Sequence, residues 1–198
     1  MLAALPLTGP ALASEVVEQI ELGLELYQEE NYGAAITELE FAINDIRKLM
    51  SGRIAETFPK APAGWTAAAA ESSSGGGGAA AMLGGAGGVM LERKYSEDNG
   101  NGSLEASLII DNPLVQGMSA LFSNPALIAA QPNTERVRIG RESAIVKWEP
   151  DRSRAEATLL LDGRILMQVK GQNLESQDVA VDLLKGWNLE AVRSQAAR

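Results

Sequence analysis

The chain contains neither cysteine nor histidine. Without thiols it can form no disulfide, use no thiolate nucleophile and carry no lipid anchor on cysteine. Without imidazole, Ser-His-Asp triads, histidine general bases and histidine-built zinc sites are excluded. Positive charge is scarce: 17 Lys and Arg stand against 26 Asp and Glu, for a net charge of −9. Such a balance repels phosphate backbones and anionic lipid headgroups, so nucleic acid is not expected as a partner. Nor does any run approach the ~20 apolar residues of a spanning helix; no transmembrane span is expected.

What is present is strongest between Glu135 and Gly171. Ala155, Ala157, Leu159 and Leu161 alternate with Glu156, Thr158 and Leu160, the period-two pattern of a strand with one buried face. Asp162-Gly163 supplies the positive-φ pair of a tight hairpin, and Ile165, Met167 and Val169 alternate on the return. Upstream, Ala144, Val146 and Trp148 alternate, and Gly140 to Glu142 turns that strand back on Val137 and Ile139. Local pairs of this kind predict an antiparallel sheet.

Before the sheet, Leu2 to Leu7 is a short apolar run, and Ala11-Leu12-Ala13 precedes Ser14 as an A-x-A cleavage pattern. Residues 1–13 therefore read as a signal-peptide remnant, with a bacterial periplasmic or secreted protein expected; an unprocessed apolar tail is the other reading. Glu15 to Tyr27 has helical spacing, with Val16, Ile20, Gly23, Leu24 and Tyr27 on one side. Asn31 breaks it. Tyr32 to Met50 makes a second helix running on to about Thr57, its inner face expected to hold Ala35, Ile36, Leu39, Ala42, Ile43 and Ile46. Pro59 and Pro62 close this region.

Gly64-Trp65-Thr66 opens the first expected strand, to about Glu71, and Ser72 to Gly88 is an uncharged glycine-rich insertion. A phosphate loop would need Lys-Ser/Thr after its last glycine, whereas Val89-Met90 follows here. A flexible insertion is the expected meaning, over 72–88. Val89, Leu91 and Tyr95 begin the next strand, Asn99-Gly100-Asn101-Gly102 turns it, and Leu104 to Ile110 returns. The acidic turn Glu97 to Asn101 lacks the closing glutamate of a calcium loop. Pro113 starts a helix carrying Leu114, Val115, Met118, Leu121 and Phe122; Ser176 and Asn188 are expected to cap the last two.

These elements predict an α+β fold: a helical hairpin over 15–57, then a domain over 62–193 with an antiparallel sheet of six or seven strands and helices packed on one face. Leu22, Gly23, Tyr27, Asn31, Tyr32, Ala35, Ile36, Leu39, Ala42 and Ile43 have the spacing of one tetratricopeptide repeat, which the hairpin resembles, although no second copy and no closing proline follow. Pro62-Ala63-Gly64-Trp65, Asp182-Leu183-Leu184 and the order of elements resemble the Mog1/PsbP-like group of small sheet domains. That resemblance implies an assembly factor, binding module or accessory subunit, with no shared catalytic centre.

The functional expectation is an exported, non-enzymatic accessory protein that binds another envelope or secreted protein, with Tyr27, Tyr32 and Leu39 at the partner surface. Catalytic residues, metal ligands and cofactors are not expected. One alternative is a binder of lipid or another small hydrophobic ligand, using the uncharged segments 79–83 and 113–130 with Met82, Leu83, Met118 and Phe122. A carboxylate-based hydrolase is the other.

Overall fold

Helical periodicity in the first quarter and strand alternation in the rest divide the chain into two compact units, 1–53 and 54–198. A computed structural model describes residues 9–72, 89–122, 124, 128 and 131–196. In the first unit α1 (Gly9–Gln28) is followed by α2 (Tyr32–Ala55), whose last residues, from Ile54, belong to the second unit. α1 starts six residues earlier than Glu15 and takes in the A-x-A string. Among the described residues no helix is long and apolar enough to cross a membrane.

Glu30 closes α1 in the left-handed region at φ 61°. Its N–H donates to Tyr27 C=O at 3.1 Å, while Asn31 N–H reaches Leu26 C=O at 2.9 Å. This is a Schellman cap with glutamate where glycine is favoured. Asn31 C=O then accepts from Ala35 N–H at 3.0 Å and opens α2. The three residues 29–31 thereby set two helices antiparallel.

Among the described residues the second unit holds an eight-stranded, wholly antiparallel sheet. Its strands are β1 (Trp65–Ala67), β2 (Glu71–Ser72), β3 (Val89–Glu97), β4 (Ser103–Ile110), β5 (Thr134–Ile139), β6 (Glu142–Glu149), β7 (Arg154–Leu161) and β8 (Ile165–Gln172). The order is β1-β3-β4-β8-β7-β6-β5, with β2 also on β3. Asp162 and Gly163 both take positive φ (53° and 69°), as a type I′ turn demands. The single strand expected from Trp65 to Glu71 is broken. Ala67 faces Tyr95 and Glu71 faces Glu92, so three residues oppose two, which is a bulge. Extra twist at an edge strand discourages pairing with another sheet.

One face of the sheet carries the core, with Leu91, Leu108, Met167, Leu159 and Ala144 side by side across five strands. α4 (Asp178–Lys185) covers it with Ala180, Val181, Leu183 and Leu184, and α5 (Leu189–Gln195) adds Val192. Phe58 and Trp187 pack at a tilt within this layer, ring centroids 4.6 Å apart. Tyr95 lies in it too, its hydroxyl donating to Pro59 C=O at 2.8 Å. Asn188 caps α5 as expected, accepting from Ala191 N–H at 3.0 Å. Ser176 falls one place short of α4's cap position, Gln177, although its Oγ accepts from Asp178 N–H at 3.2 Å.

α3 (Pro113–Phe122) departs from the single helical layer. Its Val115 packs on Ile109 and Leu166, with Met90, Leu160 and Phe122 around them. These strand residues have the opposite parity from the core row, so α3 covers the end of the other face. Beyond α3 that outer face is polar. Lys94, Glu105, Lys170, Glu156 and Lys147 stand in one row across five strands with alternating sign. Opposite charges on adjacent strands support the pairing, as a solvated face requires.

Candidate functional site

In the hairpin the buried residues between the two helices are mostly small. Gly23, Ala35 and Ala42 are buried, with Val16 the one large side chain among them. A methyl group on Gly23 would meet Leu39 Cγ at 2.8 Å, so glycine permits the approach. At one end Gln19 Nε2 reaches Asp45 Oδ2 at 3.5 Å, and at the other the rings of Tyr27 and Tyr32 lie 5.6 Å apart. Asp45 is also held by Lys48 Nζ at 2.6 Å, and this contact keeps its carboxyl below the usual aspartate range.

Because the seam uses small residues, the large apolar side chains are left outside. Every exposed large hydrophobic residue among the described residues lies between Val17 and Ile46. On α1, Val17, Ile20, Leu24 and Tyr27 form one stripe, and Tyr27 is 60% exposed. Tyr32, Ile36, Leu39, Ile43 and Ile46 form another on α2, where Ile36 is 58% exposed and Leu39 38%. At 3.6 residues per turn each stripe lies roughly 70° round from its own small-residue seam, in the same rotational sense. Antiparallel helices carry equal rotations to the same side. The two stripes are therefore neighbours on one face, as the Tyr27–Tyr32 ring contact shows directly.

This corrects the inner face expected for α2, where only Ala35 and Ala42 are buried and Ile36, Leu39, Ile43 and Ile46 are exposed. The same holds for Ile20, Leu24 and Tyr27 on α1. Tyr27, Tyr32 and Leu39 are thus brought together on an open surface, joined by six further residues that sequence reasoning had assigned to packing or passed over. The signal for them was present: glycine and alanine at seven-residue spacing mark the seam, and the larger apolar residues beside it must then face outward.

The other candidates do not assemble. Met82 and Leu83 lie outside the described residues, as does the Met118 side chain. Phe122 is half-buried against the Ile109–Val115–Leu166 cluster. The acidic turn after β3 is occupied internally: Glu97 Oε2 accepts from Gly102 N–H at 3.0 Å and Asp98 Oδ1 from Thr66 Oγ1 at 2.7 Å. Among the described residues no group of three or more Asp and Glu side chains is placed to hold a metal ion. An open depression of about 310 Å³ on the outer sheet face is walled by Lys147, Glu149, Arg152, Arg154 and Lys170. There Lys147 pairs with Glu149 at 2.7 Å and holds its carboxyl below the usual range. With Lys147 and Arg152 both paired to Glu149 and the hollow unenclosed, it makes a poor ligand site.

Comparison of the chain with protein-family models, curated proteins and solved structures finds no match.

Proposed function

We propose that the chain is an exported, non-enzymatic accessory protein that works by protein–protein contact through the outer face of its helical hairpin. The single observation behind this reading is the concentration of exposed large apolar side chains on that face. At ordinary side-chain sizes the nine residues of the two stripes expose roughly 900 Å², against ~300–600 Å² for the largest patch on a typical monomer. One partner contributes ~800 Å² to a standard protein interface. Water-exposed apolar area on that scale favours association, because covering it releases the free energy that drives burial. The two stripes, with Tyr27 and Tyr32 at their turn end, suit apolar helical segments of a partner lying along them.

The carboxyls of Asp45 and Glu149 are both lowered by a neighbouring lysine, the reverse of the shift a carboxylic general acid needs. Export rests on the Ala11-Leu12-Ala13 pattern, and the resemblance to a tetratricopeptide repeat on the residues that carry it.

The test is affinity capture with the full chain and with Ile36→Glu/Ile43→Glu from the envelope fraction of the source cells. Both positions are exposed, so the hairpin keeps its fold. Loss of the captured protein with the variant is the expected result; undiminished recovery removes the hairpin face as the binding surface.

A further inference from the structure

The inference drawn from this face rests on the preceding reading and names the partner. Along α1 the stripe steps by three, four and three residues, and along α2 by four, three, four and three. This is the a/d repeat of a coiled coil, and in both helices it points outward. The positions just before it, Val16 and Gly23 on α1 and Ala35 and Ala42 on α2, are consumed in holding the hairpin together. Two antiparallel helices joined along that flank, each with an uncovered a/d seam, are half of a four-helix bundle. We infer that the occupant of this face is a second copy of the same hairpin, so that two chains form an antiparallel four-helix bundle.

Shape agrees with a self-partner. A lone helix would lie between the stripes and leave both outer flanks wet, whereas a second hairpin lays one helix along each stripe. Charge decides the arrangement. The free flank of α2 carries Glu40 and Arg47, one heptad apart, with Ile43 and Asn44 midway. A two-fold axis across the helices at that level lays α2 antiparallel on α2. Glu40 of one copy then stands opposite Arg47 of the other, twice, because the interface is isologous. The alternative two-fold, along the helices, would oppose Glu21 to Glu40, two like charges. The hairpin holds nine carboxylates and three cations between Ser14 and Arg53; Glu15, Glu18 and Glu25 lie on the far side of α1, away from the seam.

Sedimentation velocity of the full chain at graded concentration tests this. The expected species is twice the 20.9 kDa chain mass, and Ile36→Glu raises the dimer Kd about 100-fold by placing an unpaired charge in the seam. Glu40→Arg, on the solvent side of the seam, weakens the dimer about 10-fold, and Glu40→Arg/Arg47→Glu restores it, since each copy again presents complementary charges. A monomer that keeps its helical circular dichroism at 100-fold the working concentration overturns the inference. So does a dimer indifferent to Ile36→Glu, or one that the double exchange fails to restore. A monomer that still captures a different protein through Ile36 defeats the self-partner alone; a monomer that captures nothing defeats the proposed function with it.

Discussion

Removing one oxygen from the core of the second unit should change how the protein responds to alkali. Tyr95 is 1% exposed and its hydroxyl donates to Pro59 C=O at 2.8 Å. Burial penalises the phenolate and pushes its pKa from 10.0 up to about 12. The sign follows from linkage: the folded state holds this proton more tightly than the unfolded state. Its contribution is whole below pH 10 and is lost as pH rises toward 12. That rise corresponds to roughly 2–3 kcal/mol, of which about 1.4 kcal/mol is gone by pH 11. Tyr95→Phe at pH 8 should cost about 1–2 kcal/mol, chiefly because the Pro59 carbonyl loses its buried donor. Urea denaturation of the two proteins at pH 8 and pH 11 isolates the group, since every other titration is common to both. The stability gap is expected to narrow by about 1.4 kcal/mol between the two pH values. A gap that stays constant would mean the phenol is not held as the geometry implies.

Glu30→Gly should stabilise the hairpin by about 0.5–1 kcal/mol, because glycine takes φ 61° without the Cβ penalty that glutamate bears; the hairpin's thermal midpoint by far-ultraviolet circular dichroism reads it. Gly171→Ala should cost about 1–3 kcal/mol in urea denaturation, since the new methyl would collide with Leu174 and meet Leu104 Cδ2 at 3.0 Å, both buried.

Much of the sheet was legible because its information is local. Alternation names the strands from β5 to β8, and Asp162-Gly163 fixes the turn by a conformation few residues accept. Pro113 and Asn188 likewise start their helices by chemistry confined to one turn. The pairing of β4 with β8 was not readable, because it joins residues more than fifty positions apart and no turn encodes it. α3 was missed as an outer-face helix because Ile109 and Leu166 break the alternation only slightly, in strands already rich in apolar residues. The hairpin misled most. A 3-4 apolar spacing is the same whether the stripe faces the chain's own core or an absent neighbour. Only the small-residue seam at Gly23, Ala35 and Ala42 separates the two cases, and its meaning depends on which helix lies against it.

The claim that this hairpin face meets another protein chain is tested most directly by site-specific photo-crosslinking in the source cells. A photoreactive residue replaces Ile36 on the hairpin in one strain and Ile145 on the outer sheet face in another. The account predicts a discrete crosslinked protein from position 36 and little from 145. Adducts from 145 with none from 36 would contradict it.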